Sequence, residues 1–295
     1  MTYNVDQAVR EEKVEATKWA NRCDRVRKSI VEENCDLIHL QEMRNLDNNI
    51  SPEEWLCSLD RKYKFIVSYR NPSKYSFGQA TVYDSSKLFP VQVLTRWLSD
   101  TPNVPSDTWE DQKGQTGFGS NALFVQFAFV ENEKIVTNCE SFWSVNIHFP
   151  LDEDIKTKAC QKLLELIDDI CDFDRVVLSG DFNFFFDGNR MGAKHLSIME
   201  AALTNISKNK LTSQELRNIN GTFVGYPHDE FCAKDPRNPD SCLDYIFVDC
   251  DVKYDDNVTV LTKTFLENEP TELSEPYSLP SDHLALVAQL RFDLD

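Results

Sequence analysis

The stretch Arg175-Val176-Val177-Leu178-Ser179-Gly180-Asp181-Phe182-Asn183 determines how the rest of the chain is interpreted. Its first half is a short run of β-branched and aliphatic residues, which predicts a strand. Asp181 and Asn183 follow this apolar run. Residues 154–172, which precede it, place apolar side chains at three- and four-residue spacings and predict an amphipathic helix. A helix therefore leads into a strand whose end carries a carboxylate and an amide.

The same patterns predict helices and strands on both sides of this stretch. Further helices are predicted at 14–34 and, with breaks, at 191–220. Strands are predicted at residues 2–5, 36–42, 64–69, 80–83, 91–98, 121–130, 141–149, 243–248, 258–265 and 284–292. Runs of strands with a few long helices between them predict an α+β fold of two sheets packed face to face with helices outside. A doubly wound parallel sheet is the alternative, although the strict strand–helix alternation that it requires is missing.

The composition is that of a globular protein. The chain has 295 residues, of which 41% are hydrophobic and 11% aromatic, so it has enough apolar surface to oppose chain entropy. No repeat or linker marks a boundary, and we predict a single domain over residues 1–295. No apolar run approaches the roughly 20 residues of a membrane helix, and the N-terminus lacks a signal pattern. We therefore expect no membrane span and a cytoplasmic location.

The net charge is strongly negative, because 49 acidic side chains outnumber 31 basic ones and give a formal charge of −18. Affinity for duplex DNA comes mostly from Lys and Arg side chains that neutralise phosphates. This charge therefore argues against broad binding to duplex DNA. It leaves open a locally positive pocket that holds a metal ion.

Nine cysteines are scattered along the chain without a Cys-x-x-Cys pair. Their odd number, their irregular spacing and the missing signal peptide favour reduced thiols over a disulfide framework. Cys232, Cys242 and Cys250 lie near one another in the sequence, but their spacing matches no zinc pattern.

Polar side chains recur at the ends of the predicted strands. The set contains carboxylates, amides and histidines, namely Asn4, Glu42, Asn146, His148, Asp181, Asn183, Asp244, Asp282 and His283. Carboxylate and amide oxygens are the ligands that Mg²⁺ and Mn²⁺ prefer, and a histidine backed by an aspartate can hold a protonated imidazole against a phosphoryl oxygen. Each residue alone is more often a turn, edge or half-buried side chain. Together they predict metal-assisted hydrolysis of a phosphoester.

Six segments carry a resemblance to a known family. They are Thr2-Tyr3-Asn4-Val5, Leu40-Gln41-Glu42, Val145-Asn146-Ile147-His148, Ser179-Gly180-Asp181-Phe182-Asn183, Leu243-Asp244-Tyr245-Ile246-Phe247 and Ser281-Asp282-His283. In this order they resemble the motifs of the endonuclease/exonuclease/phosphatase superfamily. Trp19 with Arg22, residues 96–102 and residues 221–223 further resemble a compact, mostly bacterial-type branch. The resemblance implies a four-layer α/β sandwich of the deoxyribonuclease I type, with mostly antiparallel sheets and the active site at one end.

The resemblance also implies a metal site and a nucleophile. Glu42 would be the principal ligand of Mg²⁺ or Mn²⁺, helped by Asn4 and, through water, by Asp282. Asp181 would orient or deprotonate the attacking water, and Asn183 would hold the scissile phosphate or that water.

The remaining residues of the set receive roles in substrate binding and charge stabilisation. His283, with Asp244 as its carboxylate partner, would contact a phosphoryl oxygen. His148 would lie near the leaving oxygen and contact the substrate, and Asn146 would support the pocket that binds it.

Two positions depart from the family pattern. Gln79 stands where the family often has Glu, and a neutral amide does not raise the pKa of His148 as a carboxylate would. Asn121 stands where relatives of this branch often have Arg. These residues leave open whether His148 acts as a general acid and whether one phosphate contact is missing.

We expect a Mg²⁺- or Mn²⁺-dependent enzyme that hydrolyses a phosphodiester or phosphomonoester by in-line attack of water. Acidic loops at 107–111, 152–154, 249–256 and 267–275 favour a small phosphorylated molecule, a nucleotide or single-stranded nucleic acid over long duplex DNA, although such acids also serve as ordinary solubilising surface. Two alternatives stay open. One is a repair-type DNA nuclease, and the other is a scaffold or regulatory protein that keeps the fold without efficient catalysis.

Overall fold

The computed structural model describes residues 1–7, 18–44, 51–71, 77–110, 119–136, 141–184, 191–207, 211–212, 221–223, 242–255, 258–261 and 280–292. The helices in these ranges are α1 (Trp19–Glu33), α2 (Pro52–Cys57), α3 (Glu153–Cys171) and α4 (Met191–Glu200). The strands are β1 (Thr2–Asn4), β2 (Leu37–Arg44), β3 (Tyr63–Tyr69), β4 (Phe77–Asp84), β5 (Leu88–Trp97), β6 (Asn121–Glu131), β7 (Lys134–Ile135), β8 (Phe142–His148), β9 (Val176–Asp181), β10 (Thr204–Asn205), β11 (Leu211–Thr212), β12 (Asp244–Val248), β13 (Lys253–Tyr254), β14 (Val258–Val260), β15 (Leu286–Val287) and β16 (Leu290–Arg291).

Two large sheets are built from these strands. The first has the order β11-β14-β15-β1-β2-β4-β3, and the second has the order β10-β12-β9-β8-β6-β5 with β7 paired to β6. Neighbouring strands are antiparallel except for β1 with β2, β11 with β14, and β8 with β9. The predicted α+β class with mostly antiparallel sheets is therefore confirmed.

The inner faces of the two sheets share one hydrophobic core. Alternate residues of β6, Leu123, Val125 and Phe127, point toward it because side chains on a strand alternate between its two faces. Val258 and Leu286 of the first sheet belong to the same cluster. The sheets are thus packed face to face.

The helices cover the outer faces. Trp19, Val26 and Ile30 of α1 belong to a cluster that also contains residues of β2 and β4. Leu163 and Ile167 of α3 belong to another cluster, which includes residues of β6, β8 and β9. Helix, sheet, sheet and helix form four layers, as in the predicted sandwich. Within the part of the chain that the structure describes, no helix is both long and apolar enough to cross a membrane.

The helix predicted over 191–220 is wrong for residues 201–207 and 211–212, since α4 ends at Glu200, and residues 208–210 lie outside the described part of the chain. Asn205 forms a local turn in which its side-chain oxygen accepts hydrogen bonds from the main-chain N–H and the hydroxyl of Ser207, at 3.2 and 2.8 Å. Such bonds compete with helix formation. Thr204 and Asn205 instead pair with β12.

Other differences concern short elements. The strand predicted over 284–292 is divided, because β15 pairs with β1 and β14 whereas β16 pairs with β13. Helix α2 is absent from the sequence prediction, although Ser51 and Glu54 form a capping box and Pro52 opens the helix. Parts of several predictions, at 14–17, 213–220, 262–265 and 267–275, lie outside the described residues.

The described cysteines are free, in agreement with the predicted thiols. They are Cys23, Cys35, Cys57, Cys160, Cys171, Cys242 and Cys250. Cys139 and Cys232 lie outside the described residues, so the zinc alternative is not tested.

A histidine connects the two sheets. His39 of β2 is 1% exposed, and its Nδ1 and Nε2 atoms lie 2.7 and 2.6 Å from the hydroxyl oxygens of Ser179 and Ser144 in the second sheet. Burial lowers the pKa of His39 from its ordinary 6.5 to about 3. The folded protein therefore holds this imidazole in its neutral form.

This neutral histidine predicts a pH-dependent stability. Between pH 6.5 and about 3 the unfolded chain binds a proton at His39 that the folded chain does not, so stability falls as the pH is lowered through this range, by up to about 1.4 kcal/mol per pH unit. Urea unfolding at several pH values measures how the free energy of unfolding depends on pH. This dependence should be weaker for His39→Gln than for the wild type. Equal slopes for the two proteins would contradict this account, whatever their absolute stabilities.

Candidate active site

Polar side chains from both sheets converge at one edge of the structure. They are Asn4 at the end of β1, Glu42 in β2, His148 at the end of β8, Asp181 at the end of β9, Asp244 at the start of β12, and His283. The register explains the convergence, since Asp181 pairs with His148 on one side and with Asp244 on the other. The predicted clustering of strand-end residues is thus found for these six.

A distortion of β2 determines the position of Glu42. The register of β2 against β4 shifts between Leu40 and Met43, and Glu42 itself has a φ of 57°. A bulge of this kind bends a strand and re-aims its side chains, and a left-handed glutamate is strained. The side chain of Glu42 consequently reaches the edge at which the sheets meet.

Asn4 joins the carboxylates of the two sheets. Its Nδ2 atom donates to Glu42 Oε1 at 3.0 Å and to Asp181 Oδ2 at 2.9 Å, and it lies 3.5 Å from His283 Nε2. Its Oδ1 atom accepts from the main-chain N–H of Asp6 at 3.0 Å. The amide nitrogen therefore faces the pocket, and Asn4 could bind a cation through its oxygen only after the amide turns over.

Two groups of ligand atoms meet at Asp181. Glu42, His148 and Asp181 form one group, and Asp181, Asp244 and His283 form the other, with the ligand atoms of each group within 4.8 Å of one another. His148 Nε2 is 3.7 Å from Glu42 Oε1 and 3.6 Å from Asp181 Oδ2. Carboxylate oxygens suit Mg²⁺ or Mn²⁺, whereas imidazole nitrogens are more typical ligands of Zn²⁺ and other transition metals.

The donor chemistry therefore fits a divalent cation. Asp244 Oδ1 is buried and has no hydrogen-bond partner among the described residues, so one oxygen of this carboxylate is unsatisfied. Asp282, the third predicted metal ligand, is buried nearby but belongs to neither group.

His283 and Asp244 form a buried ion pair. His283 Nδ1 donates to Asp244 Oδ2 at 2.8 Å, and its Nε2 atom lies 3.8 Å from Asp181 Oδ2. Burial by itself lowers the pKa of His283, but the charges of Asp244 and Asp181 outweigh it and raise this pKa well above its ordinary value. The imidazole is therefore protonated and directs an N–H toward Asp181.

The segment 221–223 holds this pair in place. Thr222 Oγ1 accepts from the main-chain N–H groups of Leu243 and Asp244, at 3.0 and 3.1 Å. The ring of Phe223 packs edge-on against His283 with 5.1 Å between the centroids. These contacts give a physical reason for the resemblance noted at residues 221–223.

Asp181 is a carboxylate that gains a proton easily. Burial raises its pKa above the ordinary value, and the negative charges of Asp244 and Glu42 act in the same direction. The charge of His283 and the hydrogen bond from Asn4 oppose this effect. A bound cation would oppose it further, because opposite charge favours the ionised form.

Asn183 lies next to Asp181 in a left-handed conformation, with a φ of 52°. Its main-chain N–H donates to Asp181 Oδ1 at 2.9 Å, and its side-chain amide donates to the carbonyl oxygen of Phe149 at 3.0 Å. The buried Lys156 donates to the carbonyl oxygen of Asn183 at 2.5 Å. The loop after β9 is therefore held from α3 and β8.

Asn146 lies behind the pocket. Its amide accepts from Gln41 Nε2 at 2.8 Å and donates to the carbonyl oxygens of Leu40 and Ala80, at 3.2 and 2.9 Å. It is fully buried. The structure therefore places it as a support between β8 and the first sheet.

The two departures from the family pattern contact each other. Gln79 Nε2 donates to the carbonyl oxygen of Asn121 at 2.9 Å, and Asn121 Nδ2 donates to Ser68 Oγ at 2.9 Å. Burial lowers the pKa of His148 well below its ordinary value, and the charges of Arg70 and His283 lower it further. His148 is therefore neutral.

Two arginines near the site carry no predicted role. Arg22 is fully buried and donates to the carbonyl oxygens of Val5 and Pro280, at 2.6 and 2.8 Å, so it ties β1 to the segment that contains His283. Arg70 follows β3 and donates to the carbonyl oxygen of His148 at 3.1 Å. Like the predicted site residues, Arg70 lies at the end of a strand.

The glycine before Asp181 predicts a strong steric effect. A Cβ atom at Gly180 would lie 1.9 Å from the carbonyl oxygen of Ile147, because β8 and β9 approach closely there. Gly180→Ala should therefore push β9 away from β8 and lower the free energy of unfolding by about 1–3 kcal/mol or more. Urea unfolding measures this loss, and wild-type stability in the variant would contradict the close packing.

Comparisons with known proteins place this geometry among known folds. No family model matches the chain. The uncharacterized protein L388 of Acanthamoeba polyphaga mimivirus is 33% identical over 168 residues, which cover 56% of this chain and 59% of that protein. The match thus spans less than two thirds of this curated relative.

Solved structures resemble almost the whole chain. A mannosyl-6-phosphatase from Bacteroides thetaiotaomicron VPI-5482 superposes with a TM-score of 0.72 at 21% identity, over 99% of this chain and 98% of that one. An endonuclease/exonuclease/phosphatase family protein from Bacteroides thetaiotaomicron gives 0.72 at 21% identity, over 99% and 97%. At this level of identity the likeness is one of fold.

Proposed function

We propose that this chain, which has the fold of endonuclease/exonuclease/phosphatase family proteins, is a divalent-metal-dependent phosphoesterase. The observation that carries the proposal is the convergence on Asp181 of Glu42, His148 and the His283–Asp244 pair. A buried carboxylate beside a protonated histidine and further metal-ligating groups has the parts needed to attack a phosphate ester with water.

Glu42 would be the principal metal ligand in this proposal, with Asp282 and the turned amide of Asn4 as further candidates. When bound, Mg²⁺ or Mn²⁺ would supply Lewis-acid stabilisation of negative charge on the phosphoryl oxygens. Before the amide of Asn4 turns, its hydrogen bond to Glu42 holds that carboxylate toward the second sheet.

Asp181 would position the attacking water and accept its proton. Its raised pKa supports this role, because a base whose pKa approaches the working pH accepts protons more effectively. The N–H of Asn183 fixes Oδ1 of this carboxylate, so the orientation of Asp181 is set before the substrate binds. The side chain of Asn183 would contact the scissile phosphate.

His283 would donate a hydrogen bond to a phosphoryl oxygen as negative charge develops there. Asp244 supports this role, since it holds Nδ1–H and keeps the imidazole protonated. Donors that are already oriented before the reaction lower the barrier without reorganisation at that moment.

His148 would lie near the leaving oxygen. Its lowered pKa supports a neutral imidazole that donates a hydrogen bond rather than a full proton. The absence of a carboxylate at Gln79 agrees with that weaker role.

The substrate we propose is a small phosphorylated molecule, a nucleotide or a short single strand, in preference to duplex DNA. The formal charge of −18 supports this choice. Two of the loop acids have structural functions, since Asp152 caps α3 and Asp249 accepts hydrogen bonds from the N–H groups of Asp251 and Val252. The alternative is a repair-type DNA nuclease. A panel of small phosphate esters, single strands and duplex DNA would distinguish the two.

Catalysis should require the metal and Asp181. Treatment with EDTA should abolish hydrolysis of bis-p-nitrophenyl phosphate or p-nitrophenyl phosphate, and Mg²⁺ or Mn²⁺ should restore it. Asp181→Asn should lower kcat about 10²–10⁴-fold, because it removes the proton acceptor. Asp169→Asn, on the exposed face of α3, is the matched control and should keep wild-type activity.

Either of two results would refute this mechanism. One is turnover that survives chelation of the metal, and the other is full activity in Asp181→Asn. A protein that binds a phosphate ester but hydrolyses none of the panel would instead favour the scaffold alternative.

A further inference from the structure

Arg70 is anchored beside the proposed leaving-group side of the site. Its guanidinium reaches from the end of β3 to the second sheet, where Nη2 donates to the carbonyl oxygen of His148 at 3.1 Å. Its main chain is fixed as well, because its N–H donates to the carbonyl oxygen of Phe77 and its own carbonyl accepts from the indole of Trp97, both at 2.8 Å. The cation is therefore held at a defined place.

The charge of Arg70 acts on the pocket. Burial lowers its pKa, whereas the carboxylates of Glu42 and Asp181 attract the guanidinium. His148, which carries the carbonyl that Arg70 contacts, has its Nε2 atom 3.6 Å from Asp181 Oδ2. A ligand beside His148 and Asp181 would thus be near Arg70.

The guanidinium has donors for a ligand. An arginine carries five N–H groups, arranged to bind phosphate oxygens in pairs. In the described ranges the guanidinium has one hydrogen-bond acceptor, the carbonyl oxygen of His148. Arg70 is half-buried, so part of it is accessible to solvent.

Two neutral side chains, Gln79 of β4 and Asn121 of β6, lie near the main chain of β3 that leads into Arg70. Gln79 and Asn121 hydrogen-bond to each other, and Asn121 Nδ2 also lies 3.3 Å from the carbonyl oxygen of Tyr69, the residue before Arg70. These amides add no negative charge to that of Glu42 and Asp181.

We infer that Arg70 binds the non-bridging oxygens of a terminal phosphate group, so that the site favours phosphomonoesters over phosphodiesters. A terminal phosphate carries a charge of about −1.5 to −2 at pH 7 and three acceptor oxygens, whereas a diester carries a single charge. A fixed guanidinium therefore stabilises the terminal group more strongly. This inference rests on the proposed phosphoesterase function and adds a substrate class to it.

Two substrates with the same leaving group test the inference. Arg70→Ala should lower kcat/KM for p-nitrophenyl phosphate about 10- to 100-fold and that for bis-p-nitrophenyl phosphate less than about 3-fold. Arg70→Lys should lie between wild type and Arg70→Ala on the monoester, because it keeps the charge and loses the paired donors. Arg61→Ala, in the exposed turn before β3, is the matched control and should change neither value.

The same variants are tested for binding without turnover. Calorimetric titration with inorganic phosphate in the presence of Mg²⁺ should give a Kd about 10-fold or more higher for Arg70→Ala than for wild type and Arg61→Ala. If Arg70→Ala does not fold, Arg70→Gln, which removes the charge but keeps a donor, replaces it in both assays.

The outcomes separate this inference from the proposed function. If the wild type is active and Arg70→Ala keeps its monoester kinetics and phosphate affinity, the role of Arg70 is refuted and the proposed function stands. Equal losses on monoester and diester overturn the preference for terminal phosphates. A wild type without metal-dependent hydrolysis refutes the proposed function, and phosphate binding that depends on Arg70 still supports the phosphate contact.

Discussion

The hydrogen bond from Asn4 Nδ2 to Asp181 Oδ2 joins the two sheets at the edge where the polar side chains meet. The two residues are 177 positions apart in the sequence, and each lies at the end of its strand. The same Nδ2 atom also contacts Glu42. The relative position of the sheets therefore sets the distances between the carboxylates, and the hydrophobic core between the sheets is what maintains it.

This edge of the molecule stores unfavourable electrostatic energy. Glu42, Asp181 and Asp244 lie close together, and burial of like charges raises the pKa of Asp181. The hydrogen bond from Asn4 and the charge of His283 offset only part of this repulsion, since Asp244 Oδ1 has no partner among the described residues. A divalent cation is the group that would balance such a set. Functional sites commonly break the rules that the rest of a fold obeys, and here the rest of the fold supplies the stability.

The arginines complete this balance. Arg22 fixes the main chain of β1 against the segment that carries His283, and Arg70 brings a positive charge to the side occupied by His148. The candidate site thus combines carboxylates suited to a metal with the guanidinium of Arg70, which is suited to a phosphate group.

Much of the fold could be predicted from the sequence because its strands are apolar and end in polar residues. The strand that ends at Asp181 and the helix before it follow directly from hydrophobic periodicity. The structure of residues 201–207 could not be predicted in this way. There the side chain of Asn205 makes a local turn, and β10 forms because it pairs with β12. Strand-end position also predicted most of the site. The predicted set left out Arg70, although this residue also follows a strand. It did not distinguish Asn146 from the residues of the pocket, since only the three-dimensional contacts identify a buried support.

The central claim is that the convergent acids bind a divalent cation, and calorimetric titration with Mn²⁺ tests it most directly. The account predicts that the wild-type protein binds Mn²⁺ with a millimolar or tighter Kd and that Glu42→Gln weakens this binding about 10-fold or more, whereas Glu131→Gln at the exposed end of β6 leaves it unchanged. Binding of equal strength in Glu42→Gln, or no binding by the wild type at millimolar Mn²⁺, would contradict it.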